Sequence, residues 1–223
     1  MLDAGDPIPE TAGHPVRGRL VLASRSPRRR ALLAERGIDH DAVEPPLDDG
    51  ELTPGAGCSP SHWVASLAYL KARATLDELE GELESGAVVL GADTVCVVGR
   101  KVVGQPRDEA EAREMIGSLG GARHWVLTGV ALLGVSDRSR RLIVDRADVE
   151  VGDLEPEQID RYVASGAWEG KAGGYNLADR IEAGWPIRFM GDPSTVMGLP
   201  MGRLASWIGP VARSEPDPSG KVA

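Results

Sequence analysis

Apolar positions along this 223-residue chain fall into two rhythms. Near the start, "LVLA" is apolar at every position, as in a strand buried on both faces. The stretch that follows, "SRSPRRRALLAERG", predicts a tight turn and a helix. Ser26 suits the N-cap, Pro27 the first helical position and Gly37 the stop. Further on, "SPSHWVASLAYLKARATLDELEGEL" predicts a helix, with Trp63, Leu67, Leu70 and Ala74 at helical spacing. "DEAEAREMIGSLGG" predicts another, with acid in its first turn and glycine at its end. "EPEQIDRYVASG" and "GLPMGRLASWIG" complete the set. "AVVLGADTVCVVGRKVV" reads as a buried strand, a break at Gly91, Ala92 and Asp93, and a hairpin about Gly99 and Arg100. "HWVLTGVALLGV" and "RRLIVDRADVEV" read as antiparallel neighbours. "IDHDAVEPPLDDGEL" reads as a short extended piece running into an acidic loop.

Strand–helix units mixed with hairpins predict an α/β protein with a mixed, strongly twisted sheet flanked by helices. One domain is expected over residues 18–211, with a mobile leader at 1–17 and a mobile tail at 212–223. Hydrophobic residues make up 42% of the chain and aromatic ones only 4%, so the core is aliphatic. A formal net charge of -9 argues against a protein that coats nucleic acid or an anionic membrane. A phosphate ligand would therefore need a local basic cluster. The two cysteines, Cys58 and Cys96, have no zinc or disulfide spacing, which fits reduced thiols in a cytoplasmic protein. The leader lacks the basic start and apolar run of a signal peptide, and no apolar stretch is long enough to span a bilayer. Neither a Walker phosphate loop nor a dinucleotide glycine fingerprint occurs.

Arg28, Arg29 and Arg30 crowd the first turn of the first predicted helix. A helix N-terminus already carries partial positive charge, so cations there are unfavourable unless an anion faces them. Two readings stand: a phosphate site made with Ser26, or a solvated basic helix end. Three arginines cannot all point one way, and Arg28 and Arg29 suit the site better than Arg30. Asp93 ends an apolar run; buried there, it needs a metal ion, a lysine or a proton shuttle, unless it merely starts a turn. Asp48, Asp49 and Glu51 would bind magnesium beside a phosphate, or form an ordinary acidic loop. Lys71 lies one position beyond Leu70, solvated by default and inward-reaching otherwise. Lys171 sits in "EGKAGGYNL", whose glycines suit close packing or a ligand loop. Together these groups fit phosphoryl chemistry with a divalent ion.

From Leu20 to Trp207 the sequence resembles the Maf family of nucleoside triphosphate pyrophosphatases. The blocks that carry the resemblance, in family order, are "LASRSPRRRALL", "LAYLKA", "GADTV", "PRDEAEAREMIGSLGG", "TGVAL", "YVASGAWEGKAGGYNL" and "VMGLPM". The resemblance implies a cytoplasmic enzyme that cuts a nucleotide between its α- and β-phosphates and needs magnesium, or else manganese. It also implies a two-lobed fold with a central cleft, shared with the inosine-triphosphate pyrophosphatases, and a homodimer. By position, Asp93 matches the catalytic carboxylate, and Ser24, Ser26, Arg28 and Arg29 match the phosphate-binding turn. Lys71 and Lys171 match cleft lysines. Asp49, with Asp93, falls among the metal ligands.

Three departures stand out. Asp49 replaces a Glu that is common in the family, shortening that ligand by a methylene. Gln105 replaces a Lys, removing one phosphate-neutralising charge that Arg100 or Lys101 would have to supply. Arg28 and Thr94 match two of three base-selecting residues of the branch that takes dTTP and UTP, whereas the third, a Gln, aligns with Ala178. The sequence lacks the pattern of the 7-methyl-GTP branch, so dTTP/UTP-type activity with a relaxed or shifted base preference is expected. A second hypothesis is a nucleotide-sensing regulator of septum formation without turnover.

Overall fold

The structure is a computed structural model that describes residues 18–50, 52–99 and 101–208. The leader and the tail named above lie outside the described residues. Strand β1 (Leu20–Ala23) is buried at every position, as a central strand should be. It lies between β2 (Asp41–Val43) and β3 (Val88–Val98), parallel to both. From β3 onward the pairing is antiparallel, through β5 (Arg123–Gly134), β6 (Arg140–Val151) and β7 (Ile187–Met190). A short β4 (Lys101–Val103) folds back on the end of β3, giving a seven-stranded mixed sheet.

Helices flank this sheet. Helix α1 (Pro27–Glu35) starts where the sequence predicts: Ser26 Oγ accepts the Arg29 N–H, and Pro27 opens the first turn. Helix α2 (Pro60–Glu78) has Ser59 as its N-cap, and α3 (Glu109–Leu119) has Asp108. Helices α4 (Pro156–Ala164), α5 (Leu177–Glu182), α6 (Pro193–Val196) and α7 (Met201–Leu204) complete the set. The last is a single turn, shorter than "GLPMGRLASWIG" predicts. Among the described residues, no helix is long and apolar enough to cross a membrane.

Two expectations are corrected. First, Gly91, Ala92 and Asp93 do not break the strand, because β3 pairs with β5 without interruption from Val88 to Val97. Gly91 is instead a seat for α2: a Cβ there would lie 2.2 Å from the Ala68 carbonyl oxygen. Gly129 on β5 plays the same part, its would-be Cβ 2.5 Å from the Val64 carbonyl. Second, α2 buries Val64, Ala65, Leu67, Ala68, Ala72 and Thr75, with alanines at the glycine contacts, and Leu70 is exposed. Small residues let the helix lie close on the glycines, and the large Leu70 turns outward.

The buried side chains form four clusters, two of them including residues of α2 and the other two making halves that share the long strands β3 and β5. One half packs Leu22, Leu33 and Leu90 with Leu199 and Leu204. The other packs Ile116 and Val126 with Tyr162, Trp168 and Trp185. A cleft of about 650 Å³ opens between them.

Candidate active site

The cleft lies where β3 changes neighbours. β1 pairs with β3 as far as Gly91, and β4 pairs with it from Cys96. Between these partners, Ala92 to Val95 has β5 on one side and neither β1 nor β4 on the other, which leaves backbone groups for ligand-binding side chains. Crevices at such switch points are the usual ligand sites of α/β sheets.

Asp93 stands on this segment, opposite Gly129 in the ladder and two residues from Gly91, so it shares the face on which α2 rests. The close seating of α2 brings Lys71 Nζ to 2.6 Å from Asp93 Oδ1. The same ammonium lies 2.6 Å from Asp49 Oδ2, on the loop after β2. Lys71 and Asp93 expose only 13% and 12% of their side chains, so this is an inward-reaching lysine. Burial pushes the Asp93 carboxyl above its ordinary value, against the opposing pull of Lys71 and Arg29. Of the described carboxylates in the acidic loop, Asp49 is the one that turns inward. Asp48 is exposed and accepts the Gly50 N–H, while Glu51 lies outside the described residues.

The arginine turn divides its labour. Arg30 is exposed. Arg28 faces the cleft, 4.0 Å from Asp179 on α5 across it. Arg29 is turned into the floor. Its Nε donates to the Gly198 carbonyl at 3.0 Å, and its Nη1 to Ala92 O at 2.8 Å and Ser24 Oγ at 3.1 Å. Its Nη2 donates to Thr94 Oγ1 at 3.2 Å. A guanidinium has five N–H donors, so these four bonds leave one for a ligand. Arg29 is thus a brace as much as a phosphate fork. Burial lowers its pKa, while Asp93 and Asp49 hold it up, and an arginine remains charged throughout. Ser24 Oγ also accepts the Ser26 N–H at 3.2 Å, fixing the turn ahead of α1.

The opposite wall is the loop from Glu169 to Tyr175. Gly173 and Gly174 both have positive φ, at 71° and 72°, which glycine adopts freely. Tyr162 Oη donates to the Gly174 carbonyl, and Gly173 N–H donates to Gly104 O. Lys171 lines the cleft and donates to the Ala167 carbonyl. Partial burial lowers its pKa, as do Arg28 and Arg180, with Asp179 and Glu169 opposing. Gln105 also lines the cleft, Lys101 does not, and Arg100 lies outside the described residues.

Of the sequence-predicted site residues, Ser24, Ser26, Arg28, Arg29, Asp49, Lys71, Asp93, Thr94 and Lys171 all line this one cleft. Ala178 does not. It is exposed on the first turn of α5, and its N–H is held by the N-cap Asn176. Sequence reasoning missed Gly198, Thr128 and Thr195. Gly198 has φ +104°, and its would-be Cβ lies 3.0 Å from Arg29 Nε. The glycine in "VMGLPM" was the available signal for it. A threonine in a strand carries no comparable mark.

Asp49 and Asp93 come from separate elements and converge on a single cation. Such a pair fits a divalent ion that takes one or two carboxylates and fills its other positions with phosphate oxygens and water. Among the described residues no group of three carboxylate, histidine or cysteine ligands occurs, so a protein-only cage is not built here.

Residues 19–210 match the model of a family described as Maf-like protein. A protein of Brucella abortus (strain 2308) named dTTP/UTP pyrophosphatase is 38% identical over 187 residues, 83% of this chain and 88% of that one. One of Sphingopyxis alaskensis with the same name is 42% identical over 183 residues, 82% and 90% of the two chains. The solved structure of the Staphylococcus aureus Ham1 protein overlaps 61% of this chain and 73% of its own, with a TM-score of 0.40 and 15% identity.

Proposed function

The chain belongs to the Maf-like family, and on that premise we propose that it hydrolyses nucleoside triphosphates of the dTTP and UTP type. The products are the monophosphate and pyrophosphate. One observation carries this reading: Asp93 and Asp49 converge on Lys71 in a cleft also lined by Arg28, Arg29 and Lys171. A triphosphate brings negative charge to Arg28 and to the N-terminus of α1, whose first turn holds no acidic residue.

The side chains divide the work. Ser24, Ser26, Arg28 and Lys171 grip the phosphate chain from the two walls, fixing the α-phosphorus over β3. Arg29 braces that floor. Asp49 and Asp93 would hold magnesium or a similar hard cation, which when bound neutralises charge on the triphosphate. Asp93 orients the attacking water and accepts its proton. Burial makes it a stronger base than an exposed aspartate, closer to the operating pH. Lys71 keeps the two carboxylates together and opposes the charge that develops on the departing pyrophosphate.

With Ala178 outside the cleft, the contact expected of the family's Gln has no counterpart there, and a relaxed or shifted base preference follows. A sensor without turnover would leave the buried Asp93–Lys71 pair without a use. The test is incubation with dTTP, UTP, CTP, GTP and 7-methyl-GTP plus magnesium, assayed for pyrophosphate. Release from dTTP and UTP is expected, lost in Asp93→Asn. No pyrophosphate from any of the five would overturn the reading.

A further inference from the structure

Thr94 aligns with a base-selecting residue, yet its hydroxyl is engaged by protein side chains. Oγ1 accepts from Arg29 Nη2 and lies 2.9 Å from Thr128 Oγ1. Thr128 has a prior commitment, donating its one proton to the Thr195 carbonyl at 2.6 Å. Thr94 must therefore donate to Thr128. The sequence of donors is fixed: Arg29 to Thr94, Thr94 to Thr128, Thr128 to the backbone of α6. Thr195 in turn donates its own hydroxyl to Asp145 on β6. Arg203 anchors that end, donating to the Val144 carbonyl at 2.7 Å. Thr128 and Thr195 have no exposed surface.

Register explains the contact. Thr94 and Thr128 are direct partners in the β3–β5 ladder, so their side chains share a face. It is the face opposite Asp93, away from α2. A threonine pair of this kind could serve the sheet alone. Here it ends on a cleft arginine whose remaining bonds reach Ser24, Ala92 and Gly198, all lining the cleft or on the open edge of β3.

We propose that Thr128, acting through Thr94, is the positioning residue that holds the Arg29 guanidinium against the open edge of β3, so that Thr94 orients this arginine and does not read the base. The proposal rests on the hydrolytic reading above for its effect on rate, but not for its effect on Arg29. Removing the Thr128 hydroxyl takes away Thr94's acceptor, and Thr94 can then rotate from Arg29. Loss of an outer partner that orients a metal ligand costs about 10–100-fold, and a loss of that order is expected for this arginine.

The experiment compares Thr128→Val, Thr128→Ser and Thr94→Val with the wild type. The first readout is exchange of the Arg29 guanidinium protons by NMR, which needs no turnover. Exchange should quicken in Thr128→Val and Thr94→Val and remain slow in Thr128→Ser. The second is kinetic: kcat should fall about 10–100-fold in both valine variants with KM changing little, and Thr128→Ser should recover it. Thr94→Val should slow dTTP, UTP, CTP and GTP by a common factor. Should Thr128→Val not fold, Thr94→Val carries both readouts. Unchanged Arg29 exchange in a folded valine variant overturns the proposal, as does a Thr94→Val enzyme whose base ratios shift tenfold while Arg29 stays slow. A protein that hydrolyses none of the four yet loosens Arg29 as described refutes the hydrolytic reading and leaves the relay standing.

Discussion

Asp93 concentrates the chemistry at the scale of single residues. It is 8% exposed, held by Lys71, and on the stretch of β3 edge open to the cleft. Asp93→Asn keeps its shape and removes the charge. Turnover should fall by at least about 10²–10⁴-fold, the share due to acid–base action alone, with the melting temperature little changed. Steady-state kinetics beside a thermal melt checks both halves. Away from the cleft, His124 is 2% exposed, with Nε2 2.7 Å from Tyr175 Oη. Burial lowers its pKa from 6.5 to about 4. The unfolded chain therefore takes up a proton near pH 6.5 that the folded chain refuses until about 4. This contribution to stability is full above pH 6.5 and shrinks as pH falls toward 4, by roughly 3 kcal/mol. Urea midpoints across that range should show the slope, and His124→Gln should flatten it. Residue types at the site were legible in the sequence, because a strand–Ser–Pro–Arg turn and a lone Asp in an apolar run each demand a partner. Direction was not. Nothing in "PRRR" distinguishes Arg28, which faces the cleft, from Arg29, which faces the floor.

At the scale of elements, the site depends on how close α2 lies to the sheet. Gly91 and Gly129 set that distance, and Lys71 reaches Asp93 because of it. Gly91→Ala would force a methyl to 2.2 Å from the Ala68 carbonyl. Overpacking of this kind costs about 1–3 kcal/mol or more. The variant should be destabilised by at least that amount in urea, and it should lose rate beyond what lower stability explains, since α2 must lift and take Lys71 with it. In sequence, Gly91 passes for a strand break because a glycine reads alike whether the chain turns or another backbone approaches. Leu70 passes for a core position for a similar reason: hydrophobic spacing ranks residues by apolarity, whereas this helix was seated by size. Strands β5 and β6, by contrast, were plain as two β-rich runs read as antiparallel neighbours.

Over the whole molecule, two packed halves share β3 and β5, and the cleft between them is crossed by Arg28 and Asp179. The net charge of -9 gives no general attraction for a nucleotide, so binding rests on the few cations that the fold gathers there. Arg28→Ala removes one that faces the ligand directly. KM for dTTP should rise roughly tenfold or more, the worth of a charged hydrogen bond, with kcat less affected. The order of motifs along the chain made the family and the mixed sheet legible, because each block carries its own turn chemistry. The meeting of the halves was not legible, since Asp179 and Arg28 lie far apart in sequence and neither residue is unusual alone.

The central claim is that water attacks the α-phosphorus of the nucleotide in this cleft and pyrophosphate leaves. Hydrolysis of dTTP in ¹⁸O-labelled water, with the products separated and weighed by mass spectrometry, tests it directly. Equal amounts of dTMP and pyrophosphate are expected, with the label on dTMP alone. Label in pyrophosphate, or dTDP with labelled orthophosphate, would contradict it.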